Sequence, residues 1–247
     1  MNANRMSSRL WTAVLVITAV ICTTQGAFAT TISATWTGWG GAVLSDGHRY
    51  GYANGQINPT PNGGPGWVGL GGDQFYTASS VPFADKNGNF DGWCVDIHHW
   101  LATDSNFVVG DKNDLVNVFS QDRVHDLLAL ANERYATLHS QQDSAAFQQA
   151  VWAIMFGTKA SGAYTLQSTG FWAASDNSGY GEANQWLQDL NSAALTGNFD
   201  LTYLYLNPAG TSQAMVVFTP ATVPEPATFL LFGAGLAGVA LWRRKRQ

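Results

Sequence analysis

The chain has 247 residues, of which 46% are hydrophobic and 12% charged, and its formal net charge is −5. Ten tryptophans and thirteen phenylalanines with so few charges predict an ordered fold and argue against a disordered matrix filler. Residues 30–220 contain six basic and sixteen acidic residues, so this part carries a net charge near −10. Such an acidic balance argues against nucleic acid or an anionic membrane surface as a partner.

The first 29 residues have the order of a secretory signal peptide. Arg5 and Arg9 precede an apolar run over residues 10–22, and Ala27-Phe28-Ala29 follows as an A-x-A cleavage site. We expect cleavage after Ala29 and export of the remaining chain.

Export leaves the remaining chain with a single cysteine, because Cys22 lies in the predicted signal peptide and Cys94 is the other of the two. Exported proteins usually pair their cysteines. A solitary one is therefore either a small buried hydrophobic residue or a group with chemistry of its own. On the cysteine count alone, the buried residue is the favoured interpretation.

The N-terminal part of the exported chain is predicted to be β-rich. Alternating apolar and small polar residues over Ile32–Trp39 predict a strand, and the Pro- and Gly-rich residues 58–66 predict a loop. Asp85-Lys-Asn-Gly-Asn89 predicts a hairpin turn that leads into a strand over Phe90–Ile97. Cys94 lies on this strand.

Three helices and then two strands are predicted for the second half of the chain. The helices cover Asp122–Leu138, Ser144–Phe156 and Gly181–Leu195, and the strands cover Phe199–Leu206 and Gln213–Thr219. We expect Ser144 to cap the start of the second helix and Gly157 to cap its end. The predicted fold class is therefore α+β, with β-rich N- and C-terminal parts flanking a helical middle in one compact ectodomain, residues 30–220.

Residues 221–247 combine three features in a fixed order. Pro224-Glu225-Pro226 is followed by an apolar segment over residues 227–242 and by the basic cluster Arg243, Arg244, Lys245 and Arg246. As a helix, the apolar segment reaches about 24 Å across a hydrocarbon core of about 30 Å. It is therefore a short transmembrane helix, suited to a temporary stop, with its basic end on the cytoplasmic side.

This tail resembles the PEP-CTERM sorting signal of Gram-negative bacteria. The resemblance implies an exosortase-type sorting enzyme as a partner, which cuts near the Pro-Glu-Pro. It also implies a transient intermediate in the inner membrane, followed by transfer to the cell surface or the extracellular matrix. A plain single-pass anchor is the alternative, for which the segment is short.

The helix predicted over Ser144–Phe156 is apolar nearly all round and should be buried, yet it carries Gln148 and Gln149. A buried amide needs hydrogen-bond partners or costs about 1–3 kcal/mol. Together, the strand Trp93-Cys94-Val95 and the helix motif Phe147-Gln148-Gln149-Ala150-Val151-Trp152 resemble the bacterial surface thioester domains.

The second resemblance implies an internal thioester. Cys94 would be the nucleophile and Gln148 the acyl donor, with Gln149 as the alternative register. The bond would then acylate an amine or hydroxyl on a neighbouring surface once, without turnover. The expected function is a covalent adhesin or matrix cross-linker. The alternative is a non-covalent matrix protein that binds extracellular polysaccharide, in which Cys94 is a core residue.

Other polar and aromatic groups give weaker predictions. Period two places Asp96 and His98 on the Cys94 face, where they could modulate the thiol, although polar residues at a strand edge explain them as well. The Asp-rich residues 85–91 and 104–114 faintly resemble calcium loops, but turn chemistry explains them better. Trp36, Trp39 and Trp67 form either a sugar-stacking platform or part of the core. No metal, no cofactor and no enzymatic turnover are expected.

Overall fold

The computed structural model describes residues 30–39, 53–190, 198–206 and 212–221. The predicted signal peptide, the Pro-Glu-Pro motif, the apolar segment 227–242 and the basic cluster all lie outside the described residues. Among the helices within the described ranges, none is long and apolar enough to cross a membrane.

In these ranges the chain forms strands at both ends and helices in the middle. The strands are β1 (Thr30–Trp39), β2 (Ala53–Asn58), β3 (Gly66–Leu70), β4 (Asp73–Tyr76), β5 (Asn89–Cys94), β6 (Asp104–Gly110), β7 (Gln167–Ser168), β8 (Phe171–Ala173), β9 (Phe199–Tyr205) and β10 (Met215–Pro220). The helices are α1 (Lys112–Val118), α2 (Gln121–Arg134), α3 (Gln141–Phe156) and α4 (Tyr180–Asp189). The predicted mixture of α and β structure, with β-rich flanks, is confirmed.

Six strands close into a barrel in the order β1-β4-β5-β10-β9-β6, and a second sheet has the order β3-β2-β8-β7. The barrel interior follows from period-two alternation, because Ile32 and Ala34 of β1 are buried while their neighbours are exposed. Phe75 of β4 pairs with Phe90 of β5, and their rings stack at 5.3 Å. Closure leaves the barrel without a free edge.

Helix α3 joins the two sheets. It contacts β5 of the barrel as well as β2, β3 and β8 of the second sheet, and α2 and α4 pack against it. Its residues 144–155 are all buried, as an apolar surface on every side requires. Phe147 packs its ring 4.6 Å from that of Trp93. The helix that carries both glutamines is thus the centre of the core.

The predicted start of α3 is wrong by one turn. Ser140 is the N-cap: its hydroxyl accepts a hydrogen bond from the Asp143 N–H at 3.1 Å, and Asp143 reciprocates in a capping box. Ser144 lies inside the helix instead, and its hydroxyl accepts a hydrogen bond from the Gly72 N–H at 3.1 Å. The predicted end is confirmed, because Gly157 is the C-cap.

The two Asp-rich segments serve local structure. The Asp85 carboxylate accepts hydrogen bonds from the N–H groups of Asn87 and Asn89, both at 2.8 Å, as the turn prediction requires. The second segment forms β6 and then α1, whose N-cap Asp111 makes a capping box with Asp114. No cluster of metal-ligating side chains occurs among the residues the structure describes.

Candidate functional site

The side-chain amide of Gln148 is hydrogen-bonded to the backbone of Cys94 on both sides. Gln148 Oε1 accepts from the Cys94 N–H at 3.0 Å, and Gln148 Nε2 donates to the Cys94 carbonyl oxygen at 2.9 Å. Cys94 is the last residue of β5, so the amide fills the place that a neighbouring strand would take. The helix amide is therefore held directly against the residue that carries the thiol.

The Cys94 thiol is buried and unpaired with any other cysteine in the described ranges. Its Sγ donates to the carbonyl oxygen of Asp96 at 3.1 Å and accepts from the Asp96 N–H at 3.4 Å. Burial raises the pKa of the Cys94 thiol well above its ordinary value, and the backbone hydrogen bond with Asp96 offsets only part of this rise. The sulfur is thus held as a neutral thiol.

Cys94 and Gln148 line a common cavity of about 310 Å³. Most of its wall is apolar and aromatic, contributed by Trp36, Ile57, Pro61, Val68, Ile97, Trp100, Leu101 and Trp152. Trp100 is 52% exposed, so the cavity meets the surface at this indole. Cys94 and Gln148 therefore share a mostly apolar chamber with an opening on one side.

The same cavity contains a buried carboxyl group, Asp73 at the start of β4. Burial raises the pKa of Asp73 to about 7, and a hydrogen bond from the indole N–H of Trp36 to Asp73 Oδ1, at 3.1 Å, lowers it in part. No cation in the described part of the chain contributes to this pKa. Near neutral pH, Asp73 can therefore both give and take a proton.

Gln149, the alternative acyl donor, points into a different network. Its Nε2 donates to the carbonyl oxygens of Ala145 at 3.0 Å and Ser178 at 2.8 Å, and its Oε1 accepts from Asn177 at 3.1 Å. Asn177 in turn bonds the backbone N–H and carbonyl of Gln56 in β2. Gln149 thus ties α3 to the second sheet, and Gln148 is the glutamine in contact with Cys94.

We predict that Gln149→Leu lowers the free energy of unfolding by about 1–3 kcal/mol, because the amide of Asn177 and the Ser178 carbonyl lose a buried partner. Urea unfolding of the purified protein measures this loss. Gln141→Leu is the matched control on the exposed first turn of the same helix and should stay within about 0.5 kcal/mol of the unaltered chain. Equal stability of both variants would contradict the structural role of Gln149.

The placement of His98 on the Cys94 face is wrong, because β5 ends at Cys94 and period two does not continue beyond it. His98 is exposed, and its ring meets that of Phe156 edge-on at 5.6 Å. Asp96 does contact the thiol, but through its backbone. Its carboxylate accepts from the His98 N–H at 3.0 Å and pairs with His99 Nδ1 at 2.7 Å.

The three tryptophans of the proposed sugar platform do not have a common role in the structure. Trp36 is a half-buried wall of the cavity and bonds Asp73. Trp67 is 62% exposed on β3. The side chain of Trp39 lies outside the part of the chain that the structure describes.

Sequence reasoning missed Asp73 as part of this site, gave Trp36 only as a member of a sugar platform or of the core, and missed the contact of Ser144 with Gly72 beside it. Asp73 and Phe75 share one face of β4, and the alternation around them gives a weak signal that this carboxyl points inward. Nothing local signals that Ser144 contacts the loop at Gly72. These residues come together only through the pairing of β4 with β1 and β5 and the packing of α3.

Residues 222–245 match the PEP-CTERM protein-sorting motif. The match covers about a tenth of the chain and lies outside the described residues. The PEP-CTERM motif is recognised by exosortase, and it indicates export and membrane-associated sorting toward the cell surface. No curated protein and no solved structure matches the chain significantly.

Proposed function

We propose that this PEP-CTERM protein forms an internal thioester between Cys94 and Gln148 and uses it to attach covalently to amines or hydroxyls on a neighbouring surface. The observation that carries the proposal is the paired hydrogen bonding of the Gln148 amide with the Cys94 backbone, inside a cavity that both residues line. The short motifs on β5 and α3 resemble those of surface thioester domains, and the solitary cysteine has no disulfide partner in the exported chain.

The bond would form by attack of Cys94 Sγ on the Gln148 side-chain carbon Cδ. A C–S bond forms, the C–N bond breaks, and the thiol proton leaves with Nε2 as ammonia. Negative charge develops on Oε1, which already accepts the Cys94 N–H at 3.0 Å. A fixed backbone donor at this distance stabilises such an oxyanion. Attack requires that the thiol first give up its hydrogen bond to the Asp96 carbonyl.

The surroundings favour one intramolecular reaction over repeated turnover. A buried thiol with a raised pKa gives little thiolate for attack on substrates from solution. An amide held against the backbone of the same cysteine has a large advantage of proximity. Apolar cavity walls offer water few hydrogen-bond partners and would slow hydrolysis of the thioester.

The sorting part of the proposal covers both ends of the chain. We propose that a signal peptidase removes residues 1–29 and that exosortase cuts near Pro224-Glu225-Pro226 in a Gram-negative inner membrane. The acidic domain is then released to the cell surface or the extracellular matrix. N-terminal sequencing of the surface-exposed product should begin at Thr30, and an intact N-terminus would contradict this route.

The thioester itself is tested by the mass of the purified full chain. We expect peptide mapping to find Cys94 and Gln148 peptides joined, with a total mass one ammonia below that of the separate peptides. Cys94→Ala keeps the backbone hydrogen bonds with Gln148 and should show the full mass. An unaltered chain with the full mass and a freely alkylated Cys94 on unfolding would rule out the bond.

A non-covalent glycan-binding role is the second candidate. The observation that favours it is the exposure of Trp67 at 62% and of Trp100 at 52%, since exposed indoles stack on sugar rings. Under this alternative, Trp100→Ala lowers binding to extracellular polysaccharide, and Cys94→Ala leaves binding unchanged. A pull-down with purified matrix polysaccharide separates the two candidates.

A further inference from the structure

Burying the Asp73 carboxyl group costs free energy of folding, and the surrounding fold offsets little of this cost. Its side chain is buried, and its one hydrogen bond within the described part of the chain comes from the neutral indole of Trp36. Ionising a carboxyl group in such a place is unfavourable unless a cation pairs with it, and no cation contributes here. An uncompensated carboxyl on a cavity wall indicates a chemical role rather than a structural one.

The pairing of β4 with β5 brings Asp73 close to the reacting groups. Asp73 lies opposite Gly92, so Cys94, two residues further along β5, is its diagonal neighbour on the same face. Diagonal neighbours of this kind have β-carbons about 7 Å apart or less, within reach of a carboxyl and a thiol. The cavity that Asp73 lines also contains the Gln148 amide. The carboxyl accepts a hydrogen bond from Trp36 of β1, and it shares the cavity with Cys94 of β5 and the neutral Gln148 of α3.

We propose that Asp73 transfers the proton between sulfur and nitrogen at the Cys94–Gln148 site, both when the thioester forms and when an amine opens it. This inference rests on the proposed function and adds a proton-transfer residue to it.

In formation, the Asp73 carboxylate takes the proton from Cys94 Sγ as sulfur attacks Gln148 Cδ. The resulting carboxylic acid then gives this proton to Nε2, so the C–N bond breaks with loss of neutral ammonia. Asp73 ends as the carboxylate with which it began. Without such a relay, the reaction would pass through a buried thiolate, which burial strongly disfavours.

In the opening reaction, the nitrogen of a primary amine attacks Cδ, a C–N bond forms, and the C–S bond breaks. Asp73 takes the proton that the nitrogen loses and passes it to the departing sulfur of Cys94. The products are a substituted amide at Gln148 and a neutral thiol. A carboxyl with a pKa of about 7 can perform both halves of this transfer near neutral pH.

The test is the rate at which methylamine opens the thioester in the purified full chain between pH 5 and pH 9, normalised to the concentration of free amine. We expect the rate in the unaltered chain to rise through an inflection near pH 7. In Asp73→Asn the inflection should disappear and the rate at pH 8 should fall about 100-fold, the usual effect of losing a general base. Asp73→Glu, which keeps the carboxyl, should restore part of the rate and the inflection. A slower appearance of the ammonia mass shift in newly folded Asp73→Asn than in Asp73→Glu would support the role in formation.

Trp36→Phe gives a second readout with Asp73 intact. The indole N–H lowers the pKa of Asp73, so its removal should move the inflection to higher pH. If Asp73→Asn does not fold, this shift decides the question. Identical rates and pH profiles in Asp73→Asn, or an unmoved inflection in Trp36→Phe, would overturn the role of Asp73 alone. A full mass in the unaltered chain would overturn the thioester and this inference together.

Discussion

Methylamine is expected to add to Gln148 and release one thiol at Cys94 in the same step, in equal amounts. The amine replaces sulfur on Cδ, so each molecule that gains the amine must also gain a thiol. Before treatment, rapid alkylation in denaturant should label almost no Cys94, and after treatment it should label nearly all of it. Peptide mapping identifies the modified glutamine, and thiol titration counts the cysteine.

Neighbouring glutamines on α3 provide the matched control for this experiment. Gln148→Leu removes the acyl donor and should leave Cys94 fully open to alkylation in denaturant, with no amine incorporated. Gln149→Leu removes an amide of the same size that bonds Asn177 instead, and should retain both amine uptake and thiol release. Amine uptake at Gln149, or uptake without a released thiol, would contradict the proposed bond.

Local sequence patterns predicted the elements that carry the site better than the site itself. The turn at Asp85, the presence of a strand through Cys94 and the helix end capped by Gly157 follow from residues close together in the chain, whereas the end of that strand at Cys94 does not. Their contact does not, because 54 residues separate Cys94 from Gln148. Only the resemblance of two short motifs linked them before the structure placed the amide against the strand.

The two incorrect predictions have different physical causes. His98 was placed by extending the alternation of β5, but the strand ends where Gln148 replaces its neighbour. Ser144 looked like a cap because a serine precedes the apolar run, although the polar residues before it already form the first turn. A tertiary contact from α3 accounts for the first error, and the local capping box of Ser140 with Asp143 accounts for the second.

The sorting motif can be recognised from the order of its residues alone, whereas the site in the domain cannot. Residues 222–245 act as a linear signal, so their order along the chain is sufficient for the match. The domain has a cavity assembled from β1, β4, β5 and α3, and short motifs contain little of this geometry. The PEP-CTERM tail could therefore be recognised from the sequence, whereas the position of Asp73 near Cys94 became visible only in the pairing of β4 with β5.

Burial of Asp73 should make the stability of the protein depend on pH. In the folded protein burial raises the pKa of Asp73 to about 7, compared with an ordinary value of 3.8. Between these two values the unfolded chain loses the proton while the folded chain keeps it. The stability that protonated Asp73 contributes is therefore fully present below about pH 4 and lost as the pH rises through 7. At about 1.4 kcal/mol per pH unit, the loss is on the order of 4 kcal/mol.

We therefore expect the Asp73→Asn chain to be more stable to unfolding than the chain with Asp73 at pH 8, by up to about 4 kcal/mol. At pH 4 the two chains should be nearly equal in stability. Both chains should carry Cys94→Ala, so that thioester chemistry does not affect urea unfolding.

Asp85→Asn is the control, because Asp85 should change the stability with pH in the opposite direction. Slight burial raises the pKa of Asp85, but hydrogen bonds from Asn89 and Asn87 outweigh it and the net shift is downward. Asp85 thus stabilises the fold above its unfolded pKa, and this stability is lost as the pH falls. Parallel pH profiles for Asp73→Asn and its parent would show that Asp73 is ionised in the folded protein, and would remove the physical basis for its role as a proton carrier.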